Sequence, residues 1–452
     1  MTPPRFEAPP LDSAAKVATD VLIRGARLLD PRAGLDGTQD VLLRVGEVAE
    51  IGDSLAAPEG TEVVDGDGLV AVPAFVDPHV HLRTPGREDE EDIASGTRAA
   101  AAGGFCAILA QPNTDPVVDN GSVLSALRER ARQEARIPTG FLAAVTVGQD
   151  GDALSEMAEL ADLGAAGFTD DGRPVARAGI LRQALQYQRL AGRLIALHEE
   201  DPSLSRDGVM HEGAISAQLG MAGIPSISES TMIARDAQLA RYEDAAIHIQ
   251  HLSARESVEA VEQAKAAGIA ITCEASPHHL CLTDAAVGSL DANLKMNPPL
   301  RSEDDRNALI DGLRSGVIDC VATDHAPHAR EEKEQPFEIA PMGVTGLETA
   351  FAALHTELVL PGILDLGVLV ERMTAGCAPF GLAVPTLAPG SPANVTLLDL
   401  GAEWQVGEAG YESRSANCAF GGRVMTGRVR MTIAAGAVAY RERSFAIGAV
   451  PA

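Results

Sequence analysis

Positive charge is scarce in this chain. Of 452 residues, 36 are Lys or Arg against 64 Asp or Glu, a formal charge of -28. Such a surface repels phosphate backbones and anionic lipid, so nucleic-acid and membrane-surface binding are disfavoured. An anionic small substrate would need its own local arginine. Long apolar runs are missing too: nothing offers the roughly 18 uninterrupted apolar residues of a spanning helix. The opening stretch MTPPRFEAPPLDSAAKVATD also lacks the apolar core of an export signal. A cytoplasmic location is therefore expected. The six cysteines (Cys106, Cys273, Cys281, Cys320, Cys377 and Cys418) are scattered through apolar runs with no CxxC pair, which favours buried reduced thiols over disulfides or a zinc knuckle. Lysine is the rarest cation, present as Lys16, Lys265, Lys295 and Lys333 alone.

What is present is the material of a compact protein: 46% hydrophobic residues, 22% charged and 44 glycines. Residues 20–72 read as short alternating strands separated by Gly and Asp turns, and residues 390–442 repeat that texture. Between them eight apolar, β-rich runs recur at 75–80, 105–110, 141–146, 165–169, 194–197, 246–250, 269–273 and 318–323. Helix-period segments follow most of them, for example EDIASGTRAAAAGG, GILRQALQYQRLAG and SEDDRNALIDGLRSG. Strands alternating with helices predict an α/β fold, a TIM-type (β/α)8 barrel, with a small β-sandwich built from both chain ends. The expected division is a flexible extension at 1–19, sandwich at 20–73, barrel at 74–382 and sandwich again at 383–452.

In such barrels chemistry sits where strands end. After the first run stand His79 and His81, which strand alternation sends to one face while Val80 packs outward. The fourth run is followed by Asp170 and Asp171, the fifth ends at His198, the sixth at His251 and the eighth at Asp324. A lone histidine at a strand end is usually a hydrogen-bonded cap, and Asp-Asp-Gly is a common turn. All of them on one rim instead make a donor set for a metal, and four histidines with two carboxylates exceed what one tetrahedral ion needs. Two ions are expected, zinc by first choice, sharing a carboxylate and leaving a position open for water. No lysine follows the fourth run, so a carbamylated lysine bridge is unavailable there.

With these residues the chain resembles the amidohydrolase superfamily, and within it dihydroorotases of the long bacterial type. The segments that carry the resemblance are PAFVDPHVHLRTPG, QPNTDPVVD, GFTDDG, HIQHLS, MNPPLR, IDCVATDHAPH and GSPANVTLLDL, spread from about Asp20 to about Tyr440. HxH alone marks only the superfamily; HLR, QPNT, NPPLR and TDHAPH are more particular. The resemblance implies that His79 and His81 bind one ion and His198 and His251 the other, with Asp171 bridging in preference to Asp170. Asp324 would bind the first ion and act as acid and base. It further implies that Arg83, Asn113 and His328 hold a substrate carboxylate, that Asn297 meets a pyrimidine ring, and that the backbone at Met342 and Gly343 also touches substrate. The bland reading of Arg83 is an ion pair with the acids of REDEED, and of Asn113 and Asn297 a turn motif before proline. Glu199 in LHEED is expected to face solvent, His278 and His279 to pack or support, and His211, His248 and His355 to be ordinary core or surface residues.

The implied activity is reversible, metal-dependent hydrolysis of cyclic dihydroorotate to N-carbamoyl-L-aspartate in pyrimidine biosynthesis. The rivals are a hydantoinase- or allantoinase-type enzyme, which would not need the carboxylate-binding set, and a catalytically silent partner of aspartate transcarbamoylase. A homodimer is the default expectation, and association with a transcarbamoylase stays open. Residues 328–343 read equally as a cover for the site or an ordinary loop.

Overall fold

The computed structural model describes residues 6–443 and residue 445. Strands from both chain ends share one mixed sheet, in the order Ala437–Arg441, Val424–Ala434, Val395–Gln405, Val70–Pro73, Val21–Asp30, Leu35–Arg44, Glu47–Gly52, with Glu62–Asp65 also on Val21–Asp30. The seam between the two ends is the antiparallel pairing of Leu397 with Ala71 and Val395 with Pro73. Alternate residues point the same way, so Val21 and Ile23, Val41 and Leu43, Val395 and Leu397, and Met431 and Ile433 close a common core. A segment some 320 residues downstream therefore completes an interior that residues 21–71 cannot close alone.

The apolar runs between the ends form parallel ladders. Phe75–Val80 pairs with Phe105–Ala110, which pairs with Thr139–Phe141. Ile195–Leu197, Ile247–Ile249, Ile271–Ala275 and Cys320–Val321 make a second parallel set. The run at 165–169 is too short for a ladder, yet Phe168 bridges to Ala143 on one side and Ile195 on the other. Val80 bridges in parallel to His325, so the pairing circuit returns to its first strand. Both faces of these strands are buried, which is why they read as unbroken apolar runs.

Helices lie between the strands where the sequence places them. Asp92 and Ser302 start Ile93–Ala102 and Glu303–Ser315 with reciprocal capping boxes, and Asn120 caps Gly121–Glu134. The 17-residue helix Ile227–Glu243 has a less regular stripe, because it buries Glu229 and Asp236 among its apolar positions.

Residues 6–19, read from sequence as a flexible extension, make specific contacts. Asp12 exchanges two backbone hydrogen bonds of 2.9 Å with Thr139, and its carboxylate meets Arg128 at 2.7 Å and Arg132 at 3.0 Å. Residues 1–5 of that expected extension lie outside the described residues. All six cysteines are buried and unpaired, as expected. Among the described residues no helix is long and apolar enough to cross a membrane.

Candidate metal centre and active site

The first parallel strand sets the geometry. Asp77 and His79 lie on it and His81 one residue past its end; all three are buried, and the pairing register slips between Asp77 and Val80, so plain alternation does not describe this turn of the chain. Asp77 accepts from the backbone N–H of His79 at 3.0 Å and of Thr323 at 3.2 Å, locking the first strand to the chain just before Asp324. Burial pushes the Asp77 carboxyl up to about 7.

Four imidazoles then converge on Asp171. Its Oδ1 lies 3.3 Å from His79 Nε2, 3.5 Å from His251 Nε2 and 3.9 Å from His198 Nδ1, while Oδ2 lies 3.4 Å from His81 Nε2. His198 Nδ1 and His251 Nε2 are 2.9 Å apart. Asp324 Oδ1 stands 3.1 Å from His81 Nε2 and 3.5 Å from His79 Nε2. Two overlapping donor groups result: His79 and His81 with Asp171, and His198 and His251 with the same Asp171. Asp170 points elsewhere, into Thr146, whose backbone N–H donates to it at 3.0 Å.

These donors fit a cation better than they fit one another. His79 Nε2, Asp171 Oδ1 and His198 Nε2 are buried with no hydrogen-bond partner, an arrangement that is costly unless something else satisfies them. Burial alone would raise the Asp171 and Asp324 carboxyls, but the surrounding histidines, His79 foremost, reverse this and hold both well below the usual carboxylate range. Anionic oxygens among imidazoles that can exchange their protons for a metal suit a zinc-like ion. Backbone strain collects here as well: His251 at φ 31°, Asp324 at φ 46° and Arg83 at φ 52° occupy the left-handed region without being glycine.

Around this centre the expected substrate residues are found in company. Arg83 is partly buried, donates from Nε to Pro327 O at 3.0 Å and meets Glu90 Oε2 at 3.2 Å. The ion pair with an acid of REDEED therefore exists, while the guanidinium still acts electrostatically on His81, Asp171 and Asp324. Asn113 Oδ1 accepts from His81 Nδ1 at 2.9 Å, which fixes that ring and does not engage the Asn113 amide NH2. His328 Nε2 donates to Met342 O at 2.9 Å, and its Nδ1 lies between Glu90 at 3.2 Å and Glu332 at 3.3 Å. Asn297 Nδ2 donates to Glu200 Oε2 at 2.6 Å, and its Oδ1 is a buried atom without a partner. Gly343 departs from expectation, because its N–H already serves Lys295 O at 2.9 Å and its carbonyl serves Lys333 and Asn417. That peptide braces the loop.

One other expectation needs correction. Glu199 does not face solvent: it is 4% exposed and packs against Asp236. Burial and the neighbouring Asp236 push its carboxyl well above the usual range. His278 is buried with an unpartnered Nε2 and is pushed down to about 4, chiefly by burial. His279 is pinned between Ser276 Oγ at 2.7 Å and Pro298 O at 2.9 Å. Two residues went unread in the sequence. Glu200 stands 3.5 Å from His198 Nε2, and Glu274 stands 2.6 Å from His79 Nδ1. The only signal for Glu274 was a charged residue inside the apolar strand ITCEA.

Residues 328–343 are held from inside. Lys295 Nζ donates to the carbonyls of Phe337, Glu338 and Ala340 at 2.7, 3.0 and 2.7 Å. Lys333 Nζ reaches Pro341 O at 3.0 Å and Gly343 O at 2.8 Å. Two of the four lysines in the chain thus serve as buried pins for one loop.

Known proteins place this architecture. The dihydroorotase of Geobacter sp. (strain M21) is 44% identical over 423 residues, covering 93% of this chain and 99% of that one. The chain belongs to the dihydroorotase family. The dihydroorotase of Pelotomaculum thermopropionicum is 43% identical over 94% of this chain and 99% of its own, and the family model described as dihydro-orotase-like matches residues 68–257. Among solved structures, the L-hydantoinase (dihydropyrimidinase) of Arthrobacter aurescens superposes with a TM-score of 0.84 at 25% identity, covering 95% of this chain and 98% of that one. A dihydropyrimidinase from Brevibacillus agri NCHU1002 gives 0.82 at 24% identity over 94% and 96%. The fold is thus common to dihydroorotases and hydantoinases, and the sequence sides with the former.

Proposed function

We propose that this family member is an active dihydroorotase, opening the ring of dihydroorotate to N-carbamoyl-L-aspartate and closing it again in pyrimidine biosynthesis. Its architecture is read as a (β/α)8 barrel at 74–382 with a β-sandwich made of 20–73 and 383–452. The observation that carries the activity is the intact donor set: four buried imidazoles within 4 Å of a single carboxylate, with Asp324 beside them, in a chain 44% identical to a curated dihydroorotase. A silent scaffold has no need of such a set.

His79, His81 and Asp324 would hold one zinc ion and His198 and His251 a second, with Asp171 between them. When bound, the ions would polarise the ring carbonyl and acidify water. The chain supplies the rest. Arg83 and the Asn113 amide hold the substrate carboxylate, joined by His328 when it gives up its hydrogen bond to Met342 O, and a guanidinium fork suits that planar anion. Asn297 offers its unpartnered Oδ1 to a ring N–H. Asp324 takes the proton of the attacking water and hands it to the departing amide nitrogen, which is a poor leaving group otherwise.

A hydantoinase would share the fold but not the use of Arg83. Turnover of L-dihydroorotate, hydantoin and allantoin by one zinc-loaded preparation, with metal content measured on the same sample, separates these readings. Dihydroorotate alone should be consumed. Turnover restricted to the neutral rings would replace the proposal with a hydantoinase, and silence with zinc bound would favour a partner-dependent or scaffolding chain. A cytoplasmic homodimer, free of or joined to aspartate transcarbamoylase, completes the reading and is tested by light scattering with and without the transcarbamoylase.

A further inference from the structure

Behind the donor set lies a second layer that the proposed chemistry does not use. Glu274 is 1% exposed, on the strand Ile271–Ala275, and its two oxygens are fully engaged. Oε1 accepts from His79 Nδ1 at 2.6 Å and from the backbone N–H of His251 at 3.3 Å. Oε2 accepts from His248 Nε2 at 3.1 Å. His248, 0% exposed, is oriented in turn by Thr272 Oγ1 at 2.8 Å from its Nδ1. The short contact to Glu274 sets the His79 tautomer over the longer 3.4 Å approach of the Gln250 amide to the same nitrogen. His79 carries its proton on Nδ1, which turns the Nε2 lone pair toward Asp171, and His248 carries its proton on Nε2 with Thr272 donating to Nδ1.

One oxygen of one buried carboxylate therefore touches residues of both donor groups, His79 of the first and His251 of the second. Asp171 and Asp324 balance only half the charge of two divalent ions; Glu274 and Glu200 are the next anions outward, and of the two Glu274 is the one that touches both donor groups. We propose that Glu274 is the counter-charge and positioning residue of the metal centre, braced by His248 and Thr272, so that ion affinity depends on residues that touch neither ion nor substrate. The inference rests on the metal-hydrolase reading. The rival is a polar layer that merely fills the interior, in which case removing its charge would alter folding and leave ion binding alone.

The substitution Glu274→Gln separates the two. Gln keeps the shape and can accept from His79 Nδ1, and His248 can shift its proton to Nδ1 to accept from the Gln amide, so chiefly the charge is lost. Zinc affinity is measured by competition with a chromophoric chelator, alongside thermal melting of metal-free protein. The expected result for E274Q is zinc affinity weakened by about 10–100-fold, the usual loss on removing such a partner, with metal-free melting close to the parent. His248→Phe, which leaves Oε2 without its donor, should weaken affinity in the same direction by less, and it carries the test if E274Q does not fold. Parental zinc affinity in both variants, or in H248F where E274Q is unfolded, would overturn the inference while the metal reading stood. A parent chain that binds no zinc would overturn both.

Discussion

On the proposed reading Arg83 would hold substrate and Asp324 would move the proton, so their substitutions should fail in different ways. Asp324 faces the histidines of the first donor group, whereas Asp171 also approaches those of the second. Asp324→Ala should retain much of the bound metal and lose turnover by about 10²–10⁴-fold, the span of a general acid–base group. Near-normal kcat in that variant would remove Asp324 from the proton path. Arg83→Met should keep the metal and lose roughly 10–100-fold in kcat/KM for dihydroorotate, matching about 1.5–3 kcal/mol for a charged hydrogen bond. Unchanged kinetics would reduce Arg83 to the partner of Glu90 that it also is. At this scale the sequence was most legible where chemistry follows chain order. His79 and His81 sit two apart at the end of one strand, and the other four donors each follow an apolar run of their own. Glu274 and Glu200 were illegible because their meaning lies in which histidine faces them across strands far apart in sequence.

The loop at 328–343 shows how an element can mislead when only its composition is read. Its charge and its bounding glycine fit a cover or a plain solvated loop, yet Lys295 and Lys333 each sink an ammonium into its backbone carbonyls. A buried cation ringed by carbonyls fixes a loop, because releasing any one carbonyl leaves both partners unsatisfied. Burial and the nearby Lys295 charge lower Lys333 to about 7, a sign of how dry its setting is. Lys333→Met removes the pin while keeping most of the volume. The variant should bind metal as the parent does, raise KM for dihydroorotate by about tenfold through a displaced His328, and be cut faster by protease within 328–343. Unaltered proteolysis and KM would show that the loop holds its place without the ammonium. The parallel strands were legible from their apolar runs, and the run at 165–169 less so, since its pairing is confined to a few backbone hydrogen bonds around Phe168. The helix Ile227–Glu243 was blurred by Glu229 and Asp236, which it buries against Ser253 and Glu199.

The molecule as a whole is joined across its length, and one acid reports on that joint. Glu348 precedes the helix Ala350–Leu354 and accepts the backbone N–H groups of Glu412 and Ser413, 3.0 Å each, from the connection between Val395–Gln405 and Val424–Ala434. Ser413 in turn donates to Glu91, which meets His325 beside Asp324, so the junction runs up to the rim of the site. Burial, with Glu412 and Glu91 close by, pushes the Glu348 carboxyl up to about 7 from 4.5. The folded chain then holds this proton more tightly than the unfolded chain does. Stability from this group is intact below the unfolded value and is lost as pH rises toward about 7, by about 2 kcal/mol once the part of the side chain still wetted is discounted. Glu348→Gln cannot ionise and keeps one accepting oxygen. It should be less stable than the parent at pH 5, where a hydrogen bond has been lost with nothing gained, and should close or reverse that gap by pH 8. Denaturant unfolding of metal-free protein at the two pH values measures the difference, and a gap that stays constant or widens with pH would mean that Glu348 is ionised throughout and that the joint holds a charge.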